Sequence, residues 1–150
     1  MDLSIVPYTG VGALRLGLPP EEIHALLGAP RVKRPQGSKL REMYADGIAC
    51  TYEGAPDRLG LVEIGFAKTV RDLNYAGVRL FELPPQRALE RLIQDDPDVA
   101  EALGFLIFLH LGVATSGFHA AQQEELAVTV FARGRWDAHR PAMRPFRLSG

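Results

Sequence analysis

Residues 12–27 have the sequence GALRLGLPPEEIHALL. It lines up, at a constant offset of 65, with GVRLFELPPQRALERL in residues 77–92, and both copies carry Leu-Pro-Pro with a glycine six positions before it. Because self-similarity at a fixed spacing is typical of a repeated unit, we predict two pseudo-repeated β-α-β-β halves, residues 8–70 and 75–135, and a C-terminal tail, 136–150. We place all of residues 1–150 in a single domain. The alternative is that these few identities arose by chance.

Each copy contains the signals of a short helix. Pro20 and Pro85 suit the first helical position, which needs no intrahelical N–H partner, and the acids at 21 and 22 favour a helix N-terminus. Apolar residues at 23, 26 and 27 form one stripe, and Gly28 followed by Pro30 ends the helix. The second helix ends at the Asp-Asp-Pro-Asp sequence of residues 95–98. Helices of three turns or fewer are marginal alone, so we expect both to pack on a sheet.

Strand signals outnumber helix signals. The predicted strands are residues 11–18, 47–53, 59–68, 77–83, 105–113 and 125–133. Residues 48–52 and 61–64 flank a Glu-Gly-Ala-Pro-Asp turn and predict a hairpin. Most connections are too short for the crossover helices of a parallel sheet. The predicted class is therefore α+β, an antiparallel sheet with short helices packed on one face.

Bulk composition excludes several classes of function. The 17 Lys and Arg against 18 Asp and Glu give a net charge of −1, without the strong field typical of nucleic-acid binders and electrostatic membrane binders. The single cysteine cannot form an internal disulfide, which favours a reducing compartment. We find no signal-peptide pattern at the N-terminus, and histidines and glycines interrupt the apolar stretch at 102–121. We therefore predict a cytoplasmic protein with no membrane partner.

Catalytic and metal motifs are not evident. The four histidines lack the i, i+3 or i, i+4 spacing of a helical metal site, and His110 and His119 would have to converge with a carboxylate such as Glu124 or Asp137. Cys50 lies in a predicted strand, the setting of a buried, inert thiol. We predict no catalytic residue, no cofactor and no metal. The alternative is a small-ligand-binding protein or hydrolase whose pocket is lined by His110, His119 and Cys50.

Charges are segregated along the chain despite their near-zero sum. One basic cluster is Arg31, Lys33, Arg34, Lys39 and Arg41, in a predicted exposed loop over residues 31–41, and the other is Arg133, Arg135, Arg140, Arg144 and Arg147. Acids concentrate at 95–101 and 124–125. This polarity could steer a charged partner or simply be solvated. Nucleic acid is an unfavoured partner, because only Trp136 and Phe146 interleave with the basic residues.

Residues 8–30 resemble a motif of small bacterial α+β proteins. A strand ending in Leu-Gly at 16–17 runs into a short helix closed by Leu-Gly-Ala-Pro at 27–30. This motif is similar to the repeat of beta-lactamase-inhibitor-like domains and of immunity proteins that neutralise bacterial toxins. The resemblance implies a protein that binds a protein partner through one sheet face or loop edge.

From these observations we expect a non-catalytic bacterial protein-binding module, an immunity-type inhibitor that occludes a toxin or enzyme partner. Interface energy concentrates in Tyr, Trp and Arg, and the candidate contact residues are Tyr52, Tyr75, Arg135, Trp136, Arg31 and Arg34. A third hypothesis is a homodimer in which a sheet edge or the tail from His139 onward packs on a second copy.

Overall fold

The computed structural model describes residues 1–120 and 125–148, whose strands form two sheets. The helices are α1 (Pro20–Leu27), α2 (Pro85–Asp95) and a 3-10 helix, Asp137–Ala142. The strands of the first half are β1 (Ser4–Val6), β2 (Gly10–Val11), β3 (Leu14–Arg15), β4 (Val32–Gln36), β5 (Lys39–Met43), β6 (Ile48–Glu53) and β7 (Gly60–Ala67). Those of the second half are β8 (Asn74–Tyr75), β9 (Val78–Arg79), β10 (Ala100–Ala102), β11 (Phe105–Phe108), β12 (Val113–Ser116), β13 (Ala127–Phe131) and β14 (Arg144–Pro145).

The predicted α+β class with antiparallel pairing is confirmed, with two sheets where one was expected. The large sheet has nine strands in the order β14-β10-β11-β12-β13-β7-β6-β5-β4, and every pairing in it is antiparallel. The small sheet has the order β3-β2-β1-β8-β9, and its β1–β8 pair is parallel. The small sheet therefore joins the start of the first half to the start of the second.

Each helix precedes an antiparallel meander of four strands, where two strands were expected. Strands β4 to β7 follow α1, and β10 to β13 follow α2. The last strands of the two meanders pair with each other, with Ile64 opposite Val130, so one sheet runs through both halves. A shared origin of the halves by duplication stays a prediction.

Helices α1 and α2 and the small sheet cover one face of the large sheet, which we call the inner face. One buried cluster contains Ile23 of α1, Leu89 of α2 and Leu14 of the small sheet together with inner-face residues of the large sheet such as Ile64 and Phe108. Both helices begin with the expected proline at the first position. Gly28 ends α1 with a φ of +86°, the left-handed region that glycine adopts without steric cost.

Four predictions about strands are wrong. Residues 11–18 contain the end of β2, a turn at Gly12 and the two-residue strand β3, and β9 is the only strand within residues 77–83, because the chain turns again after Arg79. Residues 31–41, predicted as a loop, form most of the β4–β5 hairpin around Gly37. Every residue of β4 is exposed, so this edge strand lacks the buried alternation by which strands are recognised. Residues 105–113, predicted as one strand, contain β11, a turn and the start of β12, because a nearly continuous apolar run does not reveal an internal turn. Among the described residues, no helix is long and apolar enough to cross a bilayer.

Candidate protein interface

The outer face of the first meander carries a group of basic side chains. Because side chains alternate between the faces of a strand, the register that places Arg34 opposite Arg41 and Val32 opposite Met43 assigns all four residues to one face. This set, with Gln36 and Lys39, is called the basic face: Val32, Arg34, Gln36, Lys39, Arg41 and Met43. All but Met43, which is half-buried, are exposed in the hairpin. Like charges directly opposite each other on neighbouring strands destabilise a sheet, so the Arg34–Arg41 pair works against the stability of the isolated chain.

Few carboxylates neutralise the basic face. Lys39 pairs with Glu53 at 3.6 Å, and Arg41 donates a hydrogen bond to the hydroxyl of Thr51 at 3.3 Å. Glu42 is next in sequence, but its side chain points to the inner face, where it is fully buried. In residues 1–120 and 125–148, no carboxylate oxygen lies within 4.0 Å of Arg34 or Arg41. Both guanidinium groups thus remain available to an acidic partner.

The outer face of the second meander is covered by Tyr8 and by part of the C-terminal segment, residues 132–148. Buried outer-face residues there, including Ile107 and Phe131, form a second cluster against which Trp136 and Met143 pack. The Trp136 ring meets Phe105 and Phe131 edge-on, at centroid distances of 5.6 and 6.3 Å. Trp136, predicted to contact a partner, is therefore an internal anchor of this segment.

Arg135 marks the boundary between the covered and uncovered parts of the outer face. Its guanidinium donates a hydrogen bond to a carboxylate oxygen of Glu53 and lies 3.5 Å from Glu63. The Arg135 side chain is only 21% exposed. This predicted partner residue thus ties the C-terminal segment to β6 and β7 within the chain.

The two tyrosines proposed as partner anchors lie in the core. Tyr52 is fully buried on the inner face of β6, because its position in β6 alternates with outer-face Thr51. Tyr75 is 7% exposed, and its hydroxyl donates a hydrogen bond to Asp95 at 2.6 Å. Burial, and secondarily this hydrogen bond, raises the pKa of Tyr75 to about 12. Neither side chain offers the surface that a hot-spot contact requires, whereas Arg31 and Arg34 are both exposed.

The alternative pocket of Cys50, His110 and His119 does not form. Cys50 lies in the middle of β6, and His110 follows β11, four strand positions away in the large sheet, which corresponds to about 19 Å at the usual strand spacing. The thiol is fully buried, and burial raises its pKa to about 12. Cys50 is therefore a core residue, as its predicted strand position indicated.

The histidines find carboxylates other than those considered from the sequence. His110 Nε2 lies 3.2 Å from Asp98 and 3.8 Å from Asp96. His119 Nε2 lies 3.2 Å from Glu101, and its ring packs edge-on against Phe146. Asp137 pairs instead with Arg140, and Glu124 lies outside the described residues. The sequence did not indicate that Asp96, Asp98 and His110 lie together, because it is the turn between β11 and β12 that brings His110 to the two aspartates.

A buried polar cluster under α1 was also missed. Glu42 is fully buried and lies 2.7 Å from His24 Nε2 of α1 and 3.8 Å from Lys33. The hydroxyls of Tyr44 and Tyr52 are buried nearby, and neither has a hydrogen-bond partner among the residues that the structure describes. Burial raises the pKa of Tyr44 to about 12. The sequence did not indicate this cluster. Glu42 directly follows the segment predicted as an exposed loop, so its side chain was expected to be exposed as well. The contact fastens α1 to β5.

An open groove of about 1030 Å³ lies between α2 and the C-terminal segment. Its walls are mainly apolar, with Ile93 on one side and Phe146 and Leu148 on the other, and Asp98 lies at its rim. The groove is thus on the opposite end of the large sheet from the basic face.

Comparison with protein-family models, curated proteins and solved structures finds no match to this chain.

Proposed function

We propose that the protein is a non-catalytic protein-binding module whose basic face docks on an acidic surface of a partner protein. The observation that carries the proposal is the asymmetry of the large sheet. Residues of the C-terminal segment cover the outer face of β10–β13, whereas the outer face of β4 and β5 is exposed and holds the opposed pair Arg34 and Arg41. A partner's carboxylates would offset a repulsion that the free chain leaves uncompensated.

The hairpin supports side-chain recognition better than strand addition. Strand β4 is an edge of the large sheet, but Pro35 within it lacks an N–H donor, and Lys33 places a charge on the same strand. Proline and lysine on an edge strand are devices that oppose pairing with another strand. Guanidinium forks, in contrast, bind carboxylates in a planar, bidentate manner.

Charge also separates this proposal from the homodimer hypothesis. Part of the C-terminal segment packs on an outer sheet face, and the segment is arginine-rich. A second copy's C-terminal segment would bring positive charge to the basic face, so it is disfavoured as the occupant. Light scattering at the mass of one 16.5 kDa chain, held across protein concentrations, is the expected result.

The resemblance of residues 8–30 to immunity-type proteins supports the class of partner. On this proposal, a bacterial toxin or enzyme is inhibited in the cytoplasm when the docked module covers its functional surface. Inhibition by occlusion requires no catalytic residue in the module. It requires a partner surface rich in Asp and Glu near the covered site.

The test is co-expression with the product of an adjacent toxin-like reading frame, followed by calorimetric titration of the purified pair. The double substitution Arg34→Glu, Arg41→Glu should weaken binding by about 100-fold or more, since buried charge pairs at interfaces cost 2–5 kcal/mol to disrupt. The matched control is Arg58→Glu, Lys68→Glu, which reverses two exposed charges elsewhere. An equal loss in both variants, or no binding by any adjacent gene product, would overturn the proposal.

A further inference from the structure

We propose that Asp96, Asp98 and His110 form a binding site for one divalent transition-metal ion, for which Zn²⁺ is the natural probe. Asp96 directly follows α2, Asp98 precedes β10, and His110 lies in the turn between β11 and β12. One donor atom from each residue lies within 4.8 Å of the other two. The site is independent of the basic face, which lies at the other end of the large sheet.

The donor spacing fits a bound ion. Zinc–nitrogen and zinc–oxygen bonds of about 2.0–2.2 Å place neighbouring donors about 3 Å apart at right angles and about 3.4 Å apart in a tetrahedron. His110 Nε2 lies 3.2 Å from Asp98 Oδ2 and 3.8 Å from Asp96 Oδ1. Small side-chain adjustments therefore suffice to place all three donors around one ion.

The types of donor also define the class of metal. One imidazole and two carboxylates suit Zn²⁺ and similar transition-metal ions. Calcium needs six to eight oxygen ligands and magnesium a near-ideal octahedron of oxygens, which this set does not supply. Three protein ligands leave a further coordination position for water or another ligand, and Asp98 places the site at the rim of the groove beside α2.

The burial of Asp96 also favours a cation at this site, because the two backbone N–H groups that bond its carboxylate carry no full positive charge. Its side chain is fully buried, and a buried carboxylate is costly unless a cation or several hydrogen bonds compensate it. Within the described ranges, no Lys or Arg side chain lies within 4.0 Å of Asp96, and the His110 imidazole lies 3.8 Å away. The last turn of α2 contains no basic residue, although a helix C-terminus favours positive charge. The neighbouring Arg91 pairs with Asp95 instead.

Backbone hydrogen bonds hold the buried ligand in place. Asp96 Oδ2 accepts a hydrogen bond from the His110 N–H at 2.9 Å, and Oδ1 accepts one from the Asp98 N–H at 3.2 Å. Each carboxylate oxygen can accept a further interaction. Asp96 thus orients the backbone of both other ligands toward itself, so the site is largely formed before an ion arrives. The sequence alone led us to expect no metal, because the spacing of these three residues matches no recognisable metal-binding motif.

The test is titration of tag-free, metal-stripped protein with Zn²⁺ alone, by calorimetry and equilibrium dialysis. Asp98→Asn and His110→Gln are suitable variants, since these side chains are 78% and 59% exposed and their loss should leave the fold intact. Asp57→Asn and His139→Gln are the matched controls, because both residues are exposed and lie outside the cluster.

We expect one Zn²⁺ per chain. Each ligand variant should bind Zn²⁺ at least about 10-fold more weakly, because even the loss of a residue that only supports a metal ligand has an effect of that size. The affinity of the control variants should be unchanged. Co²⁺ should give visible absorption bands that are lost in His110→Gln. Absence of saturable Zn²⁺ binding, or binding that the ligand variants and controls affect equally, would overturn the proposal.

Discussion

The burial of Cys50 predicts that the folded protein resists thiol reagents. Burial raises the thiol pKa from its usual 9.0 to about 12, and the thiolate is the reactive form. Three pKa units reduce the thiolate fraction at neutral pH by about 1,000-fold. Reagent must in addition reach a side chain that is fully buried, which requires the core to open. With a typical unfolding free energy of about 5–15 kcal/mol, fewer than about one molecule in 1,000 is open at any time.

The measurement is the rate at which a chromogenic disulfide reagent labels the chain at neutral pH, in buffer and in denaturing guanidinium chloride. Labelling of the folded chain should be slower by at least about 1,000-fold. The control carries Cys50→Ala with Ser38→Cys, which moves the only thiol to an exposed turn residue and should react at the same rate in both conditions. Rapid stoichiometric labelling of folded Cys50 would show that the thiol is accessible and would favour a reactive-cysteine site.

Three further predictions concern stability and titration. On α1, Ile23→Ala should lower the free energy of unfolding by about 2–5 kcal/mol, because Ile23 is fully buried. Leu26→Ala should lower it by less than about 1 kcal/mol, because Leu26 is 38% exposed. Equal losses in denaturant titrations would contradict this packing of α1. Gly12→Ala should cost more than about 2 kcal/mol, since φ is +57° and the added Cβ would lie 2.0 Å from a backbone carbonyl oxygen; a loss under about 0.5 kcal/mol would exclude that close approach. Tyr75→Phe should raise the pKa of Asp95, which the tyrosine hydrogen bond holds below its usual value. The stability that Asp95 contributes is present above its ordinary pKa and is lost as pH falls through the lowered one, so the variant's deficit should shrink in acid; carboxyl NMR titration measures the shift, and an unchanged pKa would contradict it.

The local signals of the sequence located both helices and the central hairpin. Proline at the first helical position and glycine after the last are consequences of backbone geometry alone, and they are correct for α1. The pair β6 and β7 shows its buried alternation together with a turn-forming sequence between the strands. These elements could be predicted because each carries its own boundary chemistry.

The sequence correctly predicted which interface residues are accessible to a partner only where the whole local segment is exposed. Arg31 and Arg34 lie in a charged segment that is exposed whether it is a loop or a hairpin. Tyr52 was misplaced, because only the register of β6 against β5 and β7 determines which face it occupies. A slip of one residue exchanges the two faces of a strand, and composition does not reveal it. The contacts of Trp136 were missed for a related reason, since Phe105, one of the rings it packs against, is separated from it in sequence by the whole of β12 and β13.

The pairing of β7 with β13 has a consequence for synthesis of the protein. Strand β7 ends at Ala67 and β13 begins at Ala127, so one edge of the newly made first meander has no partner until about 60 more residues have emerged. At roughly 5–20 residues per second, that interval lasts about 3–12 s on the ribosome. An apolar strand edge exposed for seconds is a site for misassembly between nascent chains. The yield of folded protein should then depend more on how quickly the second half emerges, or on a chaperone that covers β7 meanwhile, than on the stability of the final fold.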